Sequence, residues 1–345
     1  MYRQKITQRY KGFNLLGMFC SEASKSNNGR APGYFPEEDF KMISDFGFNF
    51  VRLPLSYRVW STAENPFEID EEKIKPLDDA VEYGKKYGIH VCICLHRIPG
   101  YCVNDDEPIP EPFDLFEDEE AKKAACFQWR FIAERYKDID NEHLSFNLFN
   151  EPKWNLAEYK VNNVYNRLIG EIRSISPDRT IVIDGTHNGS QVPLGFMHFG
   201  KENCIYSCRG YQPGSLTHYP LSWAIGNLKE PPKWPGAIQI SGGNAIVWNR
   251  AKIDEYFDLW AAVSNVYDRG VICGELGCYN KTPHETVLAW YEDLLASLKE
   301  HNIGFAVWNF RGVFGVMDSE REDVIYEDYN GHKLDRKLMD LLQKY

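Results

Sequence analysis

The sequence predicts an α/β fold, a closed (β/α)8 barrel of the TIM type, and three observations carry that prediction. Short apolar, β-rich runs occur eight times, amphipathic helical stretches separate them, and no Gly-, Pro- or Ser-rich linker divides the chain. A length of 345 residues suits one large barrel as well as two average domains, and the missing linker favours a single domain over 1–345. An open doubly wound sheet is the alternative assembly of the same units.

The first run is "FNLLGM" (13–18), followed by "PEEDFKMISDFG", whose Pro and acidic first turn mark a helix start. "FNFVRLPL" (48–55) leads to the helical "KIKPLDDAVEYGKKYG", and "HVCICLH" (90–96) to "DEEAKKAACFQWRFIAERYK", whose apolar residues recur at helical spacing. "LSFNLFNE" (144–151) precedes "LAEYKVNNVYNRLIGEIRSIS", and "TIVIDGT" (180–186) comes next. "CIYSCRGY" (204–211) precedes "RAKIDEYFDLWAAVSNVYDRG"; "GVICGEL" (270–276) precedes "HETVLAWYEDLLASLKEHN"; "GFAVWNF" (304–310) precedes the closing "KLDRKLMDLLQK". Strands this apolar, alternating with helices, make a parallel sheet covered on its outer face. Two connections exceed what a barrel needs, residues 97–117 after strand three and 212–249 after strand six. Long loops at the C-terminal ends of barrel strands build active sites.

Composition narrows the function. A net charge of −11 leaves no basic field for a phosphate backbone, which argues against nucleic acid and favours a neutral substrate. No run approaches the roughly 18 apolar residues of a membrane span. Nine cysteines, an odd number scattered through apolar runs, read as reduced core thiols. The first residues lack an apolar signal core, so a cytoplasmic address is expected, with secretion after removal of a signal as the alternative. Neither a metal nor a cofactor is expected: there is no Cys-x-x-Cys or His-Glu-x-x-His pair and no Gly-rich phosphate loop. Asp105, Asp106 and Glu107 lack the spacing of a calcium loop and read as a solvated charge run.

In a barrel, the polar residues closing each strand share one cup: Arg52, His96, Asn150 with Glu151, Asp184, Arg209 with Tyr211, Glu275, and Trp308 with Asn309. Glu151 and Glu275 end strands four and seven. Either one alone reads as a strand-end residue paired with an arginine. As a pair they match the chemistry of a glycosidic bond, in which one acid protonates the leaving oxygen and one carboxylate attacks or stabilises the oxocarbenium-like carbon. A separation of about 5 Å would mean retention and roughly 6.5–9.5 Å inversion.

At these residues the sequence resembles glycoside hydrolase family 5, the retaining β-glycosidases that include many cellulases and mannanases. "FNEP" is similar to the family's Asn-Glu-Pro after strand four, and "GELG" to its Gly-Glu-Phe-Gly at strand seven, with Leu276 in the Phe position. "VRLPL", "LHRIPGY", "YQPGSLTHY" and the tryptophan of "AVWNF" follow in the family's order. The resemblance implies Glu151 as general acid/base and Glu275 as nucleophile. It further implies Asn150 on the sugar's 2-hydroxyl, Arg52 and Tyr211 holding Glu275, Trp308 as a flat apolar face, and His96 on hydroxyls.

One position departs from the family. Its His-x-Tyr at the end of strand six is "CRGY" here, so Arg209 stands in the histidine's place. A cation beside the acid/base would depress the pKa of Glu151, against what a general acid needs. The expectation is that Arg209 turns to another partner; contact with an unusual or acidic substituent, or weakened catalysis, are the alternatives.

In the loop after strand six, Trp223, Trp234 and Trp248 read equally as sugar platforms or as loop anchors. His218, in "THY", is placed in the site by resemblance to the family's Thr-His-Gln turn. Arg97, Tyr101 and Asn104 could line the cleft, Asp184 and His187 read as hydrogen-bonding scaffold, and Arg311, Asp318 and Arg321 either trim the cleft or pair with one another.

The leading expectation is a monomeric retaining enzyme cleaving β-linked glucan or gluco-oligosaccharides, endoglucanase-like. A β-mannanase or an exo-acting β-glucanase or β-glucosidase is the alternative on the same scaffold. Barrel chemistry on phosphorylated or metal-bound substrates, and a carbohydrate-binding barrel without catalysis, rank lower.

Overall fold

The structure is a computed structural model and describes residues 9–21, 31–104, 110–193, 203–226 and 228–345. All eight predicted runs contain strands: β1 (Lys11–Asn14), β2 (Phe50–Ser56), β3 (His90–Ile98), β4 (Leu144–Asn147), β5 (Ile181–Asp184), β6 (Cys204–Arg209), β7 (Gly270–Leu276) and β8 (Gly304–Val307). The predicted helices are α1 (Glu37–Asp45), α2 (Glu71–Tyr87), α3 (Glu119–Arg135), α4 (Glu158–Ile175), α5 (Arg250–Tyr267), α6 (His284–Glu300) and α7 (Arg336–Lys344). The fold is the (β/α)8 barrel that this alternation predicts. β1 lies at Lys11–Asn14 rather than 13–18, and β4 stops at Asn147 rather than at Glu151. Beyond Asn147 the backbone leaves the ladder, though Leu148, Phe149 and Asn150 stay buried.

The chain groups into two units. In Leu15–Cys208 with Tyr267–Gly270, β2 to β6 pair in parallel and in sequence order. Cys94 lies opposite Asn147, Phe146 opposite Ile181, and Asp184 opposite Ser207. β2 to β5 are buried along their whole length, as strands covered on both faces must be. Trp129 of α3 packs 5.3 Å from Phe146 and donates its indole N–H to the Leu148 carbonyl at 2.8 Å. That contact anchors the chain just where it leaves β4. Helix ends follow the local chemistry: Asp70 accepts from the N–H groups of Glu72 and Lys73 at the start of α2, and Gly88 closes that helix at φ 66°. After β3, Tyr101–Cys102 folds back antiparallel on Arg97–Ile98. The acidic run at Asp105, Asp106 and Glu107 lies outside the described residues.

In the second unit, Met1–Asn14, Arg209–Val266 and Val271–Tyr345, β8 pairs in parallel with both β1 and β7. The register of β7 against β8 slips between Cys273 and Leu276, so one residue of β7 is extra there. Such a bulge re-aims a side chain, and Glu275 lies inside it. The expectation of one long loop over 212–249 needs correction. Ala237–Ser241 and Asn244–Trp248 form an antiparallel hairpin, turned on Gly242 at φ 56° and Gly243 at φ 80°. Glycine adopts these angles without a Cβ clash, which permits the two-residue turn.

All nine cysteines are buried thiols outside any disulfide. Among the described residues no helix is long and apolar enough to cross a membrane.

Candidate active site

Phe146, Leu148 and Phe149 are fully buried, and each contributes about 2–3 kcal/mol of apolar burial. That anchor fixes where the following polar residues emerge. Arg52 of β2 donates from Nε to Asn147 Oδ1 at 2.9 Å and from Nη2 to Asn150 Oδ1 at 2.7 Å. The bond from Arg52 fixes which way the Asn150 amide faces, its oxygen toward the guanidinium. Asn147 Nδ2 donates to Asp184 Oδ1 at 3.0 Å, and the backbone N–H of Glu151 donates to Asp184 Oδ2 at 2.9 Å. A carboxylate on β5 thus holds both the strand and the residue that follows it.

Glu151 sits at φ 45°, an unusual angle for a residue with a side chain. Its carbonyl accepts the Tyr101 hydroxyl at 2.6 Å, and that hydroxyl accepts the Lys153 N–H at 3.0 Å. The turn is therefore clamped on both sides of Glu151. His96 is buried edge-on against Phe19, with ring centroids 4.6 Å apart, and its Nδ1 lies 3.8 Å from Cys102 Sγ.

In the other unit, Glu275 is 4% exposed. Its Oε1 lies 3.2 Å from Arg209 Nη2, and its Oε2 accepts the Tyr211 hydroxyl at 3.1 Å. Each oxygen of Glu275 thus faces a donor. The Tyr211 contact is the one the sequence predicts for that residue. The Arg209 contact is not, for sequence reasoning related Arg209 to Glu151. Arg209 does have another partner, and that partner is the second glutamate. Tyr256 donates to the Arg209 carbonyl at 3.0 Å and steadies the end of β6.

Trp308 follows β8, joined to Asn309 by a cis peptide, and its N–H donates to the Leu276 carbonyl at 2.6 Å. A Cβ on Gly277 would lie 2.4 Å from the Trp308 carbonyl, so the second glycine of "GELG" is required by close approach. His218 Nδ1 bonds Thr217 Oγ1 at 2.9 Å, and Thr217 in turn donates to the Tyr211 carbonyl at 2.7 Å. The His218 ring sits among Tyr211, Trp223 and Phe314, and burial lowers its pKa to about 4, so it is neutral at pH 7.

Other predicted residues resolve into support. Trp234 is a loop anchor, its indole N–H donating to Asp293 at 2.8 Å, whereas Trp223 is exposed. Arg311 pairs with Asp318 at 3.1 Å, and the buried Arg321 donates to the Thr282 and Cys278 carbonyls, so these three brace the loop after β8. Arg97 shares the carboxylate of Glu111 with Arg58, at 3.2 and 2.8 Å.

A carboxylate held in this way at a barrel strand end fits a glycoside-cleaving enzyme, and comparison with known proteins gives the family. The family model described as cellulase, glycosyl hydrolase family 5, matches residues 9–312. The chain belongs to glycosyl hydrolase family 5. A solved structure titled as that of a glycoside hydrolase is 34% identical, covers 98% of this chain and 99% of its own, and superposes with a TM-score of 0.87. Endoglucanase C of Acetivibrio thermocellus is 26% identical over 92% of this chain and 96% of its own length. Cellodextrinase A of Ruminococcus flavefaciens is 27% identical over 85% and 83% respectively.

Proposed function

We propose that this enzyme hydrolyses β-linked glucan or gluco-oligosaccharides with retention of anomeric configuration, by double displacement. Glu275 attacks the anomeric carbon while Glu151 gives its proton to the leaving oxygen, so the glycosidic C–O bond breaks as the ester to Glu275 forms. Water then attacks the same carbon, Glu151 takes its proton, and Glu275 leaves as a carboxylate. Asn150 holds the 2-hydroxyl, and Trp308 offers an apolar face to the pyranose.

The observation that carries this reading is the seating of Glu275: a buried carboxylate in a β-bulge, fixed at one oxygen by Arg209 and at the other by Tyr211. A glucan substrate is supported by the endoglucanase and cellodextrinase relatives. The test is proton NMR of a cello-oligosaccharide digest followed from its first minutes. The β-anomer of the new reducing end should appear first and mutarotate later. An α-anomer appearing first would mean inversion, and an inert enzyme would overturn the assignment.

A further inference from the structure

Tyr101 stands where the chain after β3 folds back, and its hydroxyl reaches the turn that carries Glu151. It donates to the Glu151 carbonyl at 2.6 Å and accepts the Lys153 N–H at 3.0 Å, two roles that one phenol can fill together. The ring is buried, edge-on to Phe116 at 5.1 Å and to Phe149 at 5.7 Å. Burial also holds the phenol's pKa well above the usual 10, so the hydroxyl keeps the proton it donates.

Backbone geometry says what this contact fixes. Asp184 takes the N–H on one side of Glu151, and Tyr101 takes the carbonyl on the other. Two held peptide planes set both φ and ψ of the residue between them, and with these the direction of its Cα–Cβ bond. At φ 45° a residue with a side chain stays only where its surroundings hold it. A general acid works only when its proton lies within hydrogen-bond reach of the leaving oxygen, so a small turn of that backbone misplaces it.

Tyr101 is itself held from behind. Gly100, at φ 82°, donates its N–H to Glu111 Oε2 at 3.1 Å, and its carbonyl accepts the Leu115 N–H at 3.0 Å. The same Glu111 carboxylate accepts the Tyr57 hydroxyl at 2.9 Å and lies 2.8 Å from Arg58 Nη2 and 3.2 Å from Arg97 Nη1. Charge-assisted contacts with two guanidinium groups make Glu111 a fixed point of the loop. A line of support runs from Glu111 through the Gly100 peptide to Tyr101, and from there to Glu151.

We propose that Tyr101 is a positioning residue for general acid catalysis, setting the aim of the Glu151 carboxyl through the backbone, with Glu111 as its support. The proposal rests on Glu151 being the acid of the retaining-hydrolase reading and adds what keeps that acid in place. A poor leaving group departs only with the acid's proton, whereas a very acidic phenol departs without it. Loss of the Tyr101 hydroxyl should therefore be felt according to the leaving group.

Tyr101→Phe tests this, because it keeps the buried ring and deletes only the hydroxyl. The variant is compared with wild type on phenyl β-cellobioside and on dinitrophenyl β-cellobioside, through kcat/KM, which reports the steps up to the glycosyl-enzyme. The expected result is a fall on the phenyl glycoside about tenfold greater than on the dinitrophenyl glycoside, the scale of one hydrogen bond. Glu111→Gln should show the same bias to a smaller degree, and it supplies the ratio if Tyr101→Phe does not fold. Equal losses on the two glycosides, as a purely structural hydroxyl would give, or no loss on either, would overturn the positioning role and leave the hydrolase reading standing. A wild type that cleaves neither glycoside would overturn the hydrolase reading and the positioning role with it.

Discussion

The backbone N–H of Glu151 donates to the carboxylate of Asp184 at 2.9 Å, and this bond holds the proposed acid at φ 45°. Asp184 is fully buried and also orients Asn147, whose own oxygen accepts from Arg52. Asp184→Ala removes an acceptor from the buried Asn147 amide and the half-buried Glu151 N–H, which costs about 1–3 kcal/mol for a buried donor left unsatisfied. The expected outcome is a lower unfolding midpoint and a kcat reduced at least tenfold. Asp184→Asn, which keeps one acceptor, should recover part of both, as chemical denaturation and steady-state kinetics would show.

At Glu275 the two donors separate by experiment. Tyr211→Phe deletes one hydrogen bond to a charged group, about 1.5–3 kcal/mol, so kcat/KM should fall roughly 10- to 100-fold with the fold intact. Arg209→Met leaves a buried carboxylate without its cation and should cost about 3–5 kcal/mol of stability as well as activity. Urea titration distinguishes them: Tyr211→Phe should lower the midpoint by the loss of one hydrogen bond, and Arg209→Met should lower it further.

Gly277→Ala places a methyl group 2.4 Å from the Trp308 carbonyl, a contact with backbone that no side-chain rotation relieves. Overpacking of this kind costs about 1–3 kcal/mol. The expected result is a lower Tm, together with a change in tryptophan fluorescence as Trp308 shifts.

Stability should depend on pH through His90, which is buried with Nδ1 on the Glu142 carbonyl at 2.8 Å and Nε2 on the Ser145 hydroxyl at 2.8 Å. Burial lowers its pKa to about 4, below the ordinary 6.5. Between those values the unfolded chain takes up a proton that the folded chain refuses. The stabilisation is complete above pH 6.5 and falls by about 1.4 kcal/mol per unit as pH drops toward 4, roughly 3 kcal/mol in all. His218, held near the same value by burial, adds to the slope. In urea titrations from pH 7 to 4.5, His90→Gln should be less stable at neutral pH and show a shallower decline than wild type.

The barrel was legible in the sequence because its signals are local: each β-rich run and each helical period lies within about twenty residues. The two candidate glutamates stand out in the sequence for the same reason, each inside a short motif after a β-rich run. The Arg209–Glu275 pair was not legible, because 66 positions separate them and only the bulge in β7 and the end of β6 bring them into register. The hairpin at Ala237–Trp248 has a local signal as well: "AIQISGGNAIVW" carries two glycines between alternating strands, a standard turn signal. Asp184 was assigned to scaffold correctly, but its hold on the Glu151 backbone needs the β5 register to be seen.

Glu275 as nucleophile is tested most directly by trapping with an activated 2-deoxy-2-fluoro-β-cellobioside: the fluorine slows both formation and breakdown of the glycosyl-enzyme, and the activated leaving group restores formation so that the intermediate accumulates. Intact mass should rise by one fluorosugar per chain, peptide mapping should place the adduct on Glu275, and Glu275→Gln should remain unlabelled. An adduct on a different residue, or an enzyme that turns over cello-oligosaccharides yet never acquires the label, would contradict the account.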